Sequence, residues 1–187
     1  MNMDTIPDDQ ALLRSILDGT DAERAFTLLV KRYQERLYWH IRRMVVDHES
    51  ANDVLQNAFI KIWKNLGQFR GESSLATWLY RIATNESINH LNQLKRRMSI
   101  SLDEHVDLSD RIKADPNFRA DRIEWKLQLA MQALPEKQRI VFMLRYYEEM
   151  PYQEMSKVLE TSEGALKASY HHAVKKIEHA VLNEFIP

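Results

Sequence analysis

Apolar residues recur at alternating three- and four-residue intervals along most of this chain, the spacing of amphipathic helices rather than strands. Asp8 to Leu17 reads as a short helix, with Gly19 just past its end. A second helix opens near Thr20 or Asp21 and runs to about Val46, its core side marked by Phe26, Leu29, Tyr33, Leu37, Ile41 and Met44. A third is predicted from Ser50, where Ser50-x-x-Asp53 has the form of a capping box, to just before Gly67. Its buried side is Val54, Leu55, Ala58, Phe59, Ile62 and Leu66. After a loop at Phe69 to Ser73, with Ser73 or Ser74 as cap, a fourth helix extends to Arg97 over the apolar positions Leu79, Ala83, Leu91 and Leu94. Periodicity then vanishes from Met98 to about Arg119, and a break of that length reads as an interdomain linker.

A second helical unit follows. Ile123, Leu127, Ala130, Met131 and Leu134 form one apolar stripe, and Pro135 separates it from a helix at Glu136 to Tyr147. Tyr152 to Leu159 is a short helix, Glu160 and Thr161 a tight turn, and Ser162 a cap for a final helix from Glu163 to about Asn183. Short helix, turn and longer helix is the layout of a helix-turn-helix. The expectation is an all-α protein of two small helical domains, residues 8–97 and 122–184, joined by a flexible linker at 98–121.

Composition narrows the chemistry. The 187 residues include no Cys, which excludes disulfides, thiolate metal sites and cysteine nucleophiles, and fits a reducing cytoplasm. Met1 to Asp9 is polar and acidic, so neither a signal peptide nor a transmembrane segment is expected. A net charge of −1 conceals basic stretches at Lys31 to Arg43 and Lys61 to Arg97 and an acidic one at Asp103 to Asp115. Local basic faces without a global excess imply weak binding to free DNA.

The fourth helix carries the richest surface. Trp78, Arg81, Asn85, Asn89, Asn92 and Arg96 lie on one stripe, and the helix ends in Lys95-Arg96-Arg97. Aromatics stack on bases, carboxamides hydrogen-bond base edges and clustered cations neutralise phosphates. From this helix alone, a nucleic-acid face and a solvated polar face with one packed Trp are equally good readings. Phe69-Arg70-Gly71-Glu72-Ser73 sets a flexible turn, a cation and an aromatic beside Trp78, a place for an extruded base. On the third helix, Asp53, Gln56, Asn57, Ile60 and Trp63 mix apolar groups into a polar face, as a partner surface does. A Trp63 that merely covers the adjacent helix is the simpler reading. On the last helix, Lys167, Ala168, His171, His172 and Lys175 oppose the core positions, and Gly164 and Ala165 keep its start slim.

Two other readings compete. His171 and His172 are adjacent and project about 100° apart, and His172 and His179 lack an evident carboxylate partner, so a metal enzyme is disfavoured. With no Gly-rich phosphate loop or nucleophile elbow, no enzymatic activity is expected. A standalone helix-turn-helix regulator that binds duplex DNA as a dimer is the runner-up.

Three motifs resemble those of the extracytoplasmic-function sigma factors. Asp53-x-x-Gln56-x-x-Phe59-x-x-x-Trp63 is similar to the family's polymerase-binding helix. Phe69-Arg70-Gly71-Glu72-Ser73 with Thr77-Trp78-Leu79-Tyr80-Arg81-Ile82-Ala83-x-Asn85 resembles its strand-opening and minus-ten region. Leu134-Pro135-x-x-x-Arg139, Tyr152-x-Glu154-Met155 and Glu163-Gly164-Ala165-Leu166-Lys167 resemble its minus-thirty-five reader. The resemblance implies docking on core RNA polymerase through Asp53, Gln56, Asn57, Ile60 and Trp63. It implies contacts to minus-ten promoter DNA by Phe69, Arg70, Ser73, Trp78, Arg81, Asn85, Asn89, Lys95, Arg96 and Arg97. Arg145, Lys167, Ser169, His171, His172 and Lys175 would contact the minus-thirty-five element. An anti-sigma factor is a further implied partner; no cofactor, small-molecule substrate or membrane insertion is. The chain departs from the family where Glu160 replaces a usual Gly, Pro151 a hydroxyl cap, and Ser169 and His172 a usual Arg.

Overall fold

In a computed structural model, residues 7–100 and 122–183 are described, with side chains at 7–97 and 126–182. Eight α-helices and one 3₁₀ turn make up these residues, with no strand among them. They are α1 (Asp9–Leu17), α2 (Ala22–Val45), α3 (His48–Asn65), the 3₁₀ turn (Leu66–Gln68), α4 (Leu75–Ile100), α5 (Arg122–Gln132), α6 (Glu136–Tyr146), α7 (Tyr152–Leu159) and α8 (Glu163–Asn183). The expected linker lies largely outside the described residues, and α4 continues past Arg97 to Ile100.

Helices α1 and α3 start at side-chain oxygens. Asp8 caps α1 by accepting from the Ala11 N–H at 2.7 Å. The capping box expected at Ser50 does not form. Asp47, in extended backbone, accepts the Ser50 N–H at 2.7 Å and starts α3 two residues earlier. Gly67 does not stop the chain either; it sits inside the 3₁₀ turn, and the left-handed glycine of this loop is Gly71, at φ 71°. Pro135 and Pro151 occupy the positions just before α6 and α7, where a missing N–H costs nothing.

Helices α1 to α4 pack on one another around Leu29, Leu37, Ile41, Ile62, Leu79 and Ala83, each fully buried. Their core positions are those the periodicity marks, because a helix in water is held mainly by burying one face. Helices α5, α6 and α7 pack on α8 and one another around Met131, Leu144, Met155, Leu166 and Ala173. The two groups also touch: α4 lies against α7, and α2 against the end of α6.

Two left-handed glutamates shape the second group. Glu149, at φ 50°, reverses the chain after α6, where the Met150 N–H bonds back to the Leu144 carbonyl at 3.0 Å. Glu160, at φ 51° and ψ 40°, ends α7. Gly is the usual residue in this backbone region, and a side chain there costs about 1 kcal/mol.

Because Leu37 is fully enclosed, Leu37→Ala is expected to cost about 2–5 kcal/mol of stability. Urea denaturation of the full chain measures it.

Candidate nucleic-acid interface

The head of α4 is built by its cap. The Thr77 N–H donates to Ser74 Oγ at 3.1 Å, and the two hydroxyls lie 2.7 Å apart. This ties the Phe69–Ser73 loop to the first turn and brings the Phe69 and Trp78 rings to 5.5 Å at 57°. Both rings are half-buried, so each packs on the protein and keeps an accessible part. Arg70 is exposed beside them, and the half-buried Ser73 donates to the Ser74 carbonyl at 3.2 Å. Further along the same face, Asn85, Asn89, Lys95, Arg96 and Arg97 are exposed, and Asn89 donates to Glu86 at 3.4 Å. Trp78 to Arg97 thus form a continuous polar and cationic strip. Two of its cations are engaged by carboxylates of the second helical group: Arg81 by Glu160, and Lys95 by Glu136 at 2.7 Å.

A different surface lies between α2 and α3. Ile60 and Trp63 are 45% and 43% exposed, unusual for residues of their size, and Asp53, Gln56 and Asn57 are exposed beside them. Trp63 leans on Phe26 at 4.8 Å, and Phe26 meets Phe59 edge-on at 6.4 Å. Trp63 therefore covers α2, as the simpler reading of that residue expects, and also walls a groove. Phe26 and Val30 form the facing wall. The periodicity assigns Phe26 to the core, and only the packing shows that its outer edge belongs to the groove.

On α8, Lys167, His171, His172 and Lys175 are exposed and Ser169 is half-buried. Arg145 is spent differently. Its guanidinium donates to the carbonyls of Glu149 and Met150 at 3.4 and 3.2 Å and lies over the Tyr152 ring at 5.2 Å, so it braces the α6–α7 turn. The ammonium of Lys167 also sits over Tyr152, at 5.6 Å. The sequence shows a cation at position 145 but not the two carbonyls, which converge only after the turn has formed. No cluster of three His, Cys, Asp or Glu side chains able to hold a metal occurs among the described residues.

Where the two helical groups meet, a buried polar cluster forms that sequence patterning does not reveal. Tyr80, 2% exposed, donates its hydroxyl to Glu148. Arg43 lies 3.7 Å from the same carboxylate and over the Tyr147 ring at 4.0 Å. His40 Nδ1 is 4.0 Å from Glu148, while its Nε2 bonds Thr84 Oγ1 at 2.9 Å and its ring meets Tyr80 edge-on at 5.1 Å. Burial pushes the Glu148 carboxyl above its ordinary range, against the Tyr80 hydrogen bond and the Arg43 and Arg36 charges. Burial, reinforced by the Arg43 charge, lowers His40 to about 3, so its ring is neutral at physiological pH.

The Sigma-70 region 2 model matches residues 29–97, and the Sigma-70, region 4 model matches residues 124–177. The RNA polymerase sigma-H factor of Pseudomonas aeruginosa is 35% identical over 182 residues, spanning 92% of this chain and 93% of that protein. The chain belongs to the extracytoplasmic-function RNA polymerase sigma factors. The ECF RNA polymerase sigma-E factor of Escherichia coli K12 is 30% identical over the same length, covering 92% of this chain and 94% of its own. In fold it resembles the sigma factor RpoE from Bartonella quintana, solved with the anti-sigma factor NepR, at TM-score 0.72 and 18% identity, over 86% of this chain and 98% of that one. It also resembles CnrH, solved with the cytosolic domain of CnrY, at TM-score 0.69 and 21% identity, over 95% and 99%. The region 2 match thus holds the α4 strip and the α3 side of the groove, and the region 4 match holds α7 and most of α8. Sigma factors act as DNA-binding initiation factors with RNA polymerase, and no helix among the described residues is long and apolar enough to cross a membrane.

The burial of His40 sets a pH dependence. A folded-state pKa below the unfolded value of 6.5 contributes stability that is whole above pH 6.5 and lost as pH falls towards 3. His40→Gln is expected to remove up to about 1.4 kcal/mol per pH unit of that slope, read from urea denaturation across the range.

Proposed function

We propose that residues 8–97 act as region 2 and residues 122–184 as region 4, and that the chain directs promoter-specific transcription initiation in complex with core RNA polymerase. The Phe69–Trp78 pair at the head of the α4 strip carries the reading: two accessible rings beside Arg81 and Asn85 suit an unstacked base. Trapping such bases favours the melted duplex by differential binding, with no covalent step, so we assign the chain no reaction of its own. Arg70, Ser73, Asn89 and the Lys95-Arg96-Arg97 run would fix the strand and its phosphates. The α2–α3 groove suits a protein partner, and we assign Asp53, Gln56, Asn57, Ile60 and Trp63 to the polymerase. Lys167, Ser169, His171, His172 and Lys175 would meet the minus-thirty-five element through the major groove, with Arg145 bracing the helix-turn-helix that presents them. The cytoplasm, where polymerase works, is the place of action. By likeness to the complexes with NepR and CnrY, an anti-sigma polypeptide is a proposed partner.

Reconstituted runoff transcription tests this. Specific transcripts are expected only when the chain and core polymerase are combined; tight duplex binding by the chain alone, without transcripts, would favour the regulator reading. Trp78→Ala is expected to lower open-complex formation by about 5- to 150-fold, the loss of ~1–3 kcal/mol of stacking, with core binding intact. Asn85→Ala should act in the same direction. Ile60→Ala with Trp63→Ala should do the reverse, weakening core binding about tenfold or more.

A further inference from the structure

Glu86 is the one acidic residue of α4, and it flanks the strip of carboxamides and cations between Asn85 and Asn89. Only 13% of its side chain is exposed. A carboxylate beside a face that meets a polyanion opposes binding unless its charge is compensated. Lys61, on the neighbouring helix α3, supplies that compensation by donating its ammonium to Glu86 Oε1 at 2.5 Å. The same oxygen takes a side-chain N–H of Asn89, three residues along α4, at 3.4 Å.

The chemistry of this acceptor fixes the carboxamide. An ionised carboxylate accepts hydrogen bonds and donates none, so the Asn89 amide turns its nitrogen towards Glu86. The reversed amide would set two oxygens against each other. One N–H is thereby engaged within the protein, and the exposed side chain offers a partner its carbonyl oxygen and the remaining N–H. A phosphate only accepts, so it is better served by Lys95, Arg96 and Arg97. A base edge that donates is the closer match. In the major groove adenine presents an amino donor beside a ring-nitrogen acceptor, and cytosine presents an amino donor. Guanine and thymine present carbonyl acceptors there.

We infer that Glu86 is a specificity-determining positioning residue: it holds Asn89 nitrogen-inward, with Lys61 cancelling its charge, so that Asn89 reads adenine or cytosine. The inference rests on the assignment of Asn89 to promoter DNA. Asn89 then fixes the strand through a base edge. Glu86 touches no DNA and acts only through the orientation of Asn89.

Selection from a pool of random duplexes by the full chain with core polymerase, with sequencing of the stable complexes, reads the base preference at each position. The wild-type chain should show a position where adenine and cytosine are favoured about three- to tenfold over guanine and thymine, the scale of one hydrogen bond. Asn89→Ala should abolish that preference. Glu86→Gln lets the two facing amides pair either way round, and should reduce it to less than about twofold. Glu86→Ala, which leaves nothing to hold the amide, should do the same, so misfolding of one variant leaves the other to report. Glu86→Asp keeps an acceptor-only group and should retain the preference. Lys61→Met should weaken binding to all sequences alike and leave the preference in place. Core binding by each variant shows that region 2 remains folded.

A preference that Asn89→Ala abolishes but Glu86→Gln and Glu86→Ala leave intact would overturn the inference, while the assignment of Asn89 would stand. Loss of the preference in Glu86→Asp would also overturn it, because side-chain shape rather than acceptor chemistry would then be responsible. If Asn89→Ala keeps every wild-type preference, or the wild-type chain selects no sequence, the assignment itself falls and the inference with it.

Discussion

The hydroxyl of Tyr80 imposes the constraint on which the arrangement of the two halves depends. Tyr80 projects from α4 into a nearly dry site, and a buried hydroxyl without a partner costs on the order of 1–3 kcal/mol. Its acceptor, Glu148, comes from the turn just past the end of α6, in the other half of the chain. That carboxylate is itself only 8% exposed and is tolerable there because Tyr80 donates to it and Arg43 stands 3.7 Å away. Neither half completes this cluster alone. Helix α4 consequently serves the region 2 core with Leu79 and Ala83, the interface with Tyr80 and the outer strip with Asn85 and Asn89.

The outer surfaces of region 2 differ in the physics that each offers a partner. The α2–α3 groove presents partly exposed Phe26, Ile60 and Trp63, whose removal from water drives association without demanding a particular charge. The α4 strip presents carboxamides and cations on a helix, which reward a polyanion and are screened by salt. The two surfaces therefore lie on different faces and differ in the forces each offers. Region 4 engages Arg81 and Lys95 of the second surface and is absent from the groove lining.

Backbone strain at Glu149 and Glu160 separates this chain from an optimally stable one. Gly at either position would relax the turn, yet at 160 it would remove the carboxylate that engages Arg81. Val46, left-handed at φ 68° at the end of α2, is a third such residue, and its near-complete burial holds it in place. The buried hydrophobic residues of both groups form one connected cluster, and the contact between the groups adds to it the polar pairs made by Glu136, Glu148 and Glu160.

The helices were legible in the sequence because periodic burial of one face is a local property: the core stripes of α2, α3 and α8 fall at the positions their spacing marks. The bounds of α7 and α8 were legible too, since Pro151 and Ser162 act on adjacent residues. The start of α3 was misplaced because two cap residues, Asp47 and Ser50, competed within three positions and backbone conformation chose the first. Side-chain types alone marked Trp78, Asn85, Ile60 and Trp63 as a surface chemistry. The sequence by itself determined which helix faces were amphipathic and which polar faces carried side chains of a type that suits bases, phosphates or a protein partner. Tertiary structure decided that Phe26 lines a groove, that Arg145 braces a turn, and that Tyr80, His40, Arg43 and Glu148 meet. Those contacts join residues as many as 108 positions apart, as between His40 and Glu148, and no spacing rule reaches across a separation that only packing closes.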